Sequence, residues 1–265
     1  MSEKQIFFMA GLPRSGSTLL CNILMQNPAI YASGTSGIVE VLRGIRDGWD
    51  LVAPFRAMAG KESRMALLGT LRGALHGYFV RVDRPVVVDR SRAWPAYIEM
   101  LEAMGISPKI LCCVRDMRDV VASFELLHRR TVATGLTTQQ RADPAAFGSL
   151  QSRCDLWVRG DQPVGAAHNA MRDAIDRGHR EKLHFVRYED LTAQPAATLA
   201  GVYAFLELEP FPHDLEHVAQ VTQEDDRVHG FDGLHDITTK VEPRPARWPA
   251  VLCGLADRYK GQEFW

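Results

Sequence analysis

The sequence predicts an α/β fold: one parallel sheet, of the kind that carries a P-loop-like turn, flanked by helices on both faces. Short runs of uninterrupted apolar residues alternate along the chain with segments of helical periodicity. Runs that are apolar throughout, rather than at every second position, are typical of parallel strands covered on both sides. A glycine-containing stretch between the first such run and the first helical segment supports the same fold class.

Strands are predicted where the apolar runs have strand length, at residues 6–10, 85–88, 110–114 and 183–186. Helices are predicted between them, at residues 18–26, 36–47, 62–81, 94–104, 120–130, 144–177 and 195–206. The long segment 144–177 contains a glycine and a proline near 160–163, and we expect it to break there. Since ligands of such sheets bind beyond the carboxyl ends of the strands, the residues that follow each strand are the candidate site residues.

The length of 265 residues fits a single domain spanning 1–265, with a helical elaboration around residues 116–180. Residues 131–143, rich in Thr, Gln, Ala and Gly, are predicted to form a mobile surface loop. The tail from about residue 230 contains prolines and little periodicity, so we expect it to wrap the surface in extended form.

Composition limits the ligands and the compartment. The net charge of −1 argues against a general binder of nucleic acid or of a membrane surface. Five cysteines without C-x-x-C spacing indicate reduced thiols, mostly in the core. No segment resembles a signal peptide or a membrane span, and a cytoplasmic protein is the expectation.

The stretch GLPRSGST, residues 11–18, resembles the phosphate-binding motif G-x-x-x-x-G-K-[ST], but Ser17 stands in place of the lysine. Gly11 and Gly16 permit a tight turn whose backbone N–H groups, with the helix N-terminus, attract an anion. Ser15, Ser17 and Thr18 add hydroxyl groups, and Arg14 supplies a guanidinium that holds phosphate without a metal. The pattern favours a ligand with one phosphate at this position, although an unliganded turn is the simpler alternative.

Three stretches in order, GLPRSGSTLL, CCVRDMRDVVAS and FVRYEDLTAQPAATL, resemble the sulfotransferases that use 3′-phosphoadenosine-5′-phosphosulfate (PAPS). The likeness is nearest to the branch of tyrosylprotein sulfotransferases and their bacterial relatives. It implies that residues Pro13, Arg14, Ser15, Gly16, Ser17 and Thr18 bind the 5′-phosphosulfate. It also implies that Arg115 and Ser123 hold the 3′-phosphate and that Tyr188 lies near the nucleotide. Without the resemblance, Arg115 is a surface ion-pair residue and Tyr188 a packing residue.

Asp89 and Arg90 follow the strand at 85–88, where such folds keep active-site groups. By the resemblance, Arg90 corresponds to a lysine that assists the leaving phosphate. The alternative is a structural ion pair of Asp89 with Arg90 or Arg92 that caps the next helix. The glutamate that serves as base in tyrosylprotein enzymes falls on Thr35 here. Glu40 and Asp89 are therefore the candidate bases for the acceptor hydroxyl.

The predicted activity is metal-independent in-line transfer of a sulfonate group from PAPS to a hydroxyl acceptor, either a small molecule or a tyrosine-containing peptide. A catalytically idle nucleotide-binding protein on the same fold remains open, and a P-loop kinase is disfavoured by Ser17. The histidines His128, His213 and His235 show no metal-ligand spacing, so packing or surface roles are expected. The acceptor and the oligomeric state are left open.

Overall fold

A five-stranded parallel sheet forms the centre of the protein, with strand order β2-β3-β1-β4-β5. The computed structural model describes residues 4–134 and 143–265. The strands are β1 (Gln5–Gly11), β2 (Ile30–Ala32), β3 (Val86–Arg90), β4 (Ile110–Val114) and β5 (Leu183–Arg187). The predicted apolar runs form four of them. The three-residue strand β2 was not predicted, because its apolar stretch is too short to stand out.

Helices connect the strands and cover the sheet. They are α1 (Ser17–Leu24), α2 (Ile38–Trp49), α3 (Ala53–Ala57), α4 (Gly60–Tyr78), α5 (Ile98–Ala103), α6 (Met117–Thr134), α7 (Leu150–Val158), α8 (Pro163–Asp176), α9 (Tyr188–Ala193), α10 (Pro195–Leu206) and α11 (Trp248–Val251). The predicted break in the segment 144–177 separates α7 from α8, and α8 begins at a proline that has no N–H to satisfy. Helices α6 to α8 occupy the predicted elaboration at 116–180. The short helices α3, α9 and α11 were not predicted.

The core has two parts, one on each face of the sheet. Alternate side chains of β1 enter opposite parts: Phe8 and Ala10 pack with α2 and α4 to α8, whereas Phe7 and Met9 pack with α1 and α10. The strands read as continuous apolar runs because both of their faces are buried. The predicted fold class, an α/β fold with helices on both faces of a parallel sheet, is confirmed.

Two expectations about irregular segments need correction. Residues 131–134, predicted to belong to a mobile loop, form the last turn of α6, and residues 135–142 lie outside the described residues. The tail does run without helix or strand from 231 to 247, but it then forms α11 and a 3₁₀ turn at Ala256–Tyr259. Val251, Leu252 and Tyr259 are buried in the main core, so the tail is part of the fold and not a surface wrapping.

The cysteines agree with the prediction of free thiols that lie mostly in the core. All five cysteines are free thiols, and only Cys253 is exposed. Among the residues that the structure describes, no helix has the length and apolar character needed to cross a bilayer.

Candidate active site

The loop between β1 and α1 packs closely against its neighbours at the carboxyl edge of the sheet. Gly11 has φ 125°, and a Cβ atom there would lie 2.0 Å from the carbonyl oxygen of Cys113 on β4. Gly16 has φ 88°, and its Cβ would lie 2.8 Å from the ring of Tyr188. Arg14, between them, also has a positive φ of 63°. Glycine is therefore required at both positions, because the loop backbone packs directly against β4 at Gly11 and against α9 at Gly16.

A cavity of about 940 Å³ opens above this loop, beyond the ends of β1, β3 and β4. Its size is in the range of small-molecule sites. Most of the predicted site residues line it, namely Pro13, Arg14, Gly16, Ser17, Thr18, Glu40, Arg90, Arg115, Ser123 and Tyr188. The fold thus brings together residues from five separate parts of the sequence at the edge where ligands were expected.

Arg14 reaches across the cavity floor. Its Nε donates to Ser123 Oγ at 3.1 Å, and its Nη1 donates to the carbonyl oxygen of Leu234 in the tail. Burial, together with the nearby charges of Arg115 and Arg130, lowers the pKa of Arg14 to about 10. A guanidinium that is buried beside two others carries an unfavourable charge until an anion joins it. Positive charge concentrated in this way favours the binding of an anion at the floor of the cavity.

Arg115 lies flat against Tyr188, with its guanidinium carbon 4.3 Å from the ring centre. Its Nη1 donates to the backbone oxygen of Arg14 at 3.3 Å, and its Nη2 lies 3.8 Å from a carboxylate oxygen of Asp119. Its Nε is buried and has no partner among the described residues. A buried donor without a partner is uncommon in proteins and is expected where a ligand supplies the acceptor.

Arg90 contacts the other side of the loop. Its Nη1 donates to Thr18 Oγ1 at 2.8 Å and lies 3.3 Å from Ser17 Oγ. Its Nη2 donates to Glu224 Oε1 at 2.7 Å, and both side chains are almost wholly buried. The alternative reading, in which Asp89 pairs with Arg90, does not describe the structure, because the partner of Arg90 is a tail residue. Arg90 thus contacts the end of the loop, whereas Arg14 belongs to the loop itself.

Residues 6–213 match the family model described as "Sulfotransferase family". The chain belongs to the sulfotransferase family. The resemblance seen in the three sequence motifs is thereby confirmed. The tail beyond residue 213, which contains Glu224 and Leu234, lies outside the matched region.

Solved structures show the same fold. A sulfotransferase domain from the curacin biosynthetic pathway has 18% identity to this sulfotransferase, with a TM-score of 0.52 over 99% of this chain and 92% of that one. Retinol dehydratase, solved in a complex with retinol and PAP, has 16% identity, with a TM-score of 0.50 over 98% of this chain and 81% of that one. Among curated protein sequences, none is significantly similar to this sulfotransferase.

Three predicted site residues of this sulfotransferase have surroundings that the sequence did not indicate. Ser15 is buried, and its hydroxyl donates to the backbone oxygens of Leu12 and Cys113, so only its backbone can face a ligand. The Asp89 carboxylate is fully buried, accepts from Ser33 Oγ at 3.2 Å and from Trp94 Nε1 at 2.8 Å, and does not line the cavity. Burial raises the pKa of Asp89, although hydrogen bonds from serine and tryptophan side chains partly offset this.

Glu40, the other predicted base, lines the cavity but has a largely exposed side chain that pairs with Arg43 at 2.9 Å. Neither predicted base is therefore both held in place and directed at the cavity. The catalytic roles of Asp89 and Glu40 stay predictions, and the structure gives them little support.

The sequence analysis assigned no site role to Arg130 on α6 or to Glu224 and His235 in the tail. Arg130, near the end of α6, donates to the backbone oxygens of Asp232 and Gly233. Glu224 and His235 lie in the tail and line or border the same cavity. The feature of the sequence nearest to these residues is the pair of glycines in HGFDGLHD, residues 229–236. The sequence analysis assigned this stretch to an extended tail.

Two of the three histidines named in the sequence analysis do have packing roles. His213 contacts the hydroxyl of Tyr203 at 3.0 Å, and His128 packs against Phe147. The expectation for His235 stays a prediction: its ring contacts the carboxylates of Glu224 and Asp226, at 2.8 and 2.5 Å, at the edge of the cavity.

Proposed function

We propose that this sulfotransferase moves a sulfonate group from PAPS to a hydroxyl-bearing acceptor without a metal ion. One observation carries the proposal: Arg14, Arg90 and Arg115 converge on a phosphate-binding type of loop inside a single cavity. A cluster of positive charge in a chain of net charge −1 indicates a specific site for a polyanionic ligand rather than general affinity for polyanions. PAP bound to retinol dehydratase, a protein of the same fold, supports the choice of nucleotide.

The residues fit a donor that carries two phosphate groups. The backbone of residues 13–18, with the hydroxyls of Ser17 and Thr18, would hold the 5′-phosphosulfate at the N-terminus of α1. Arg115, with its unpartnered Nε, and Ser123 would hold the 3′-phosphate. Tyr188 orients Arg115 through their stacking contact.

The structure also suggests a modified role for Arg14. Because its Nε contacts Ser123 while its backbone belongs to the loop, Arg14 lies between the two phosphate positions. We propose that it neutralises charge at both, and that Arg90 acts chiefly on the 5′ side through its contacts with Thr18 and Ser17.

The donor supplies an activated sulfonate group. In-line displacement forms a bond from the acceptor oxygen to sulfur and breaks the bond from sulfur to the oxygen that bridges to the 5′-phosphate. That oxygen leaves with the electron pair, so negative charge grows on the 5′-phosphate of PAP. Arg90 and the N–H groups of the loop are placed to stabilise this charge, which is usually the largest contribution to catalysis.

Two alternatives can be separated experimentally. A P-loop kinase would carry a lysine at position 17 and bind magnesium. Here Ser17 is uncharged and accepts a hydrogen bond from Arg90. An idle nucleotide-binding protein would bind PAP and transfer nothing. Incubation with [³⁵S]PAPS, a panel of phenols, alcohols and tyrosine peptides, and either EDTA or magnesium tests all three readings.

The 3′-phosphate assignment has its own measurement. We expect calorimetry to show that PAP binds at least about tenfold more tightly than 5′-AMP, which is about 1.4 kcal/mol. Equal affinities would mean that Arg115 and Ser123 do not hold a phosphate. A small hydroxyl compound or tyrosine peptide as acceptor and a cytoplasmic location remain predictions from the sequence.

A further inference from the structure

The cavity contains one histidine whose ring is held on one side by two carboxylates. His235 Nδ1 lies 2.5 Å from Asp226 Oδ1 and 2.8 Å from Glu224 Oε2. The backbone N–H of His235 also donates to Asp226, at 3.1 Å. The side chain is only 15% exposed, and the residue lines the cavity. Both the position of the residue and the rotation of its ring are therefore fixed.

This geometry determines which nitrogen carries the proton of the neutral ring. Carboxylates only accept hydrogen bonds, so Nδ1 must be the N–H donor, and Nε2 then bears the lone pair. No hydrogen bond among the described residues uses Nε2. A histidine oriented by a carboxylate through one nitrogen, with the other free toward a cavity, is the arrangement of a general base.

His235 is also connected to both cations of the proposed donor site through neighbouring residues. The preceding residue, Leu234, accepts a hydrogen bond from Arg14 through its backbone oxygen. Glu224, which contacts His235 through Oε2, contacts Arg90 through Oε1 at 2.7 Å. The same glutamate therefore fixes the distance between the imidazole and the guanidinium that faces the leaving phosphate.

Glu224 itself is a poor base. Burial opposes its ionisation, but the hydrogen bond from His235 and the charge of Arg90 outweigh this effect and lower the pKa of Glu224 to about 2. Both of its oxygens are occupied, since Oε2 also accepts from Thr35 at 2.8 Å. Its role is to position other groups.

We propose that His235 is the general base of the transfer, positioned by Asp226 and Glu224. This inference rests on the proposed function. His235 Nε2 takes the proton of the acceptor hydroxyl while the oxygen attacks sulfur, and the bond from sulfur to the 5′-phosphate oxygen breaks. The imidazolium that results is stabilised by the two carboxylates until it releases its proton to water.

The first test needs no acceptor. We expect long-range ¹H–¹⁵N spectra of the PAP-bound protein to show His235 as the Nδ1–H tautomer when neutral, and Asp226→Asn to weaken that preference. The charged or titratable groups near the ring are Asp226 and Glu224 at Nδ1, Arg90 beyond Glu224, and His229 at 5.7 Å between ring centres. An Nε2–H tautomer, or an Nδ1 that binds added Zn²⁺ or Ca²⁺, would overturn the proposal.

The second test is kinetic. His235→Asn keeps a polar group near the carboxylates but has no Nε2, and we expect kcat to fall about 10²- to 10⁴-fold while PAP affinity stays within about threefold. His217→Asn is the matched control, because His217 is a solvent-exposed histidine that also contacts a carboxylate, that of Asp214 at 3.3 Å, but does not line the cavity. We expect it to keep the wild-type rate. The acidic limb of the pH profile should be present in wild type and in His217→Asn, and absent in His235→Asn.

Acceptor acidity provides a readout that a structural defect would not change. The rate loss in His235→Asn should be large with phenol and small with 4-nitrophenol, because an ionised acceptor needs no base. Equal losses with both phenols, or an unchanged pH profile, would refute the assignment of His235. If the wild-type protein transfers sulfonate to no hydroxyl compound but binds PAP, the proposed function fails instead.

Discussion

Replacing Arg14 with methionine should separate its catalytic role from its effect on stability. The substitution keeps most of the aliphatic stem and removes the guanidinium. It leaves the positive φ of 63° with another side chain that has a Cβ, so backbone strain is unchanged. The difference between wild type and variant therefore reports the charge and its hydrogen bonds.

The effect on the free energy of unfolding follows from the surroundings of Arg14. Its pKa falls from 12.5 to about 10, which corresponds to about 3 kcal/mol against the charged form in the folded protein. Since neutral pH is far below both values, this penalty is fully present there, and stability would rise only as pH rises through the interval between them. The hydrogen bonds to Ser123 and Leu234 favour the folded state by about 0.5–1.5 kcal/mol each.

These opposing terms nearly cancel, so we expect the ligand-free Arg14→Met protein to melt within about 4 °C of wild type. Bound PAP should change this result. An anion removes the penalty in wild type only, so the rise in melting temperature with PAP should be clearly larger for wild type than for the variant.

The catalytic effect should be much larger than the effect on binding. Loss of a donor that stabilises developing charge lowers kcat by about 10²- to 10³-fold, whereas the loop N–H groups, Arg90 and Arg115 still hold the nucleotide. Transfer from [³⁵S]PAPS gives kcat, and calorimetry gives PAP affinity. Arg227→Met serves as control, because Arg227 is solvent-exposed, pairs with Asp225 and does not line the cavity. A kcat within about threefold of wild type, or equal PAP-induced shifts in melting temperature, would refute the reasoning.

Other predictions concern individual groups of the site. Glu40→Gln should keep kcat within about threefold, because the side chain is exposed and pairs with Arg43; a large loss of rate with normal PAP binding would instead identify Glu40 as the base. Gly16→Ala should weaken PAP binding at least about tenfold by calorimetry, since its Cβ would meet the Tyr188 ring at 2.8 Å; unchanged affinity would mean that the loop adapts freely. The pKa of Glu224 is lowered to about 2, so its contribution to stability is present above the usual glutamate pKa and is lost as pH falls toward 2. Acid titration of unfolding should be less steep in Glu224→Gln than in wild type, and identical titrations would show that the ion pair contributes nothing. Transfer should survive EDTA, and restoration of lost activity by magnesium would revive the kinase reading.

The sequence was sufficient for the features that local chemistry controls. Continuous apolar runs identified the strands, because burial on both faces leaves no alternation to obscure them. The loop at 11–18 was recognisable because its glycines are required by backbone geometry, which the structure shows directly at Gly11 and Gly16. Short elements such as β2, with three residues, carried too little periodic signal.

Tertiary structure decided which side chains of those motifs face the ligand. Ser15 looked equivalent to Ser17 in the sequence, but the packing of β1 beside β4 brings Cys113 close enough to accept its hydroxyl. Asp89 looked like an active-site acid at a strand end, yet it turns inward to Trp94 and Ser33. The direction of a side chain at a strand end depends on neighbouring strands, and single-sequence patterns do not contain that information.

The tail shows most clearly which features are visible in the sequence and which arise only in the tertiary structure. By itself the sequence indicated the family, four of the five strands and the glycine-containing loop at 11–18, all within segments whose residues act on their near neighbours. Glu224 and His235 reach the cavity only when the tail folds back, because Glu224 contacts Arg90, which lies 134 residues earlier in the chain. An isolated glutamate and histidine in a loop carry no periodicity or spacing. Their chemistry arises from contacts between distant segments, which the packing of the whole chain creates.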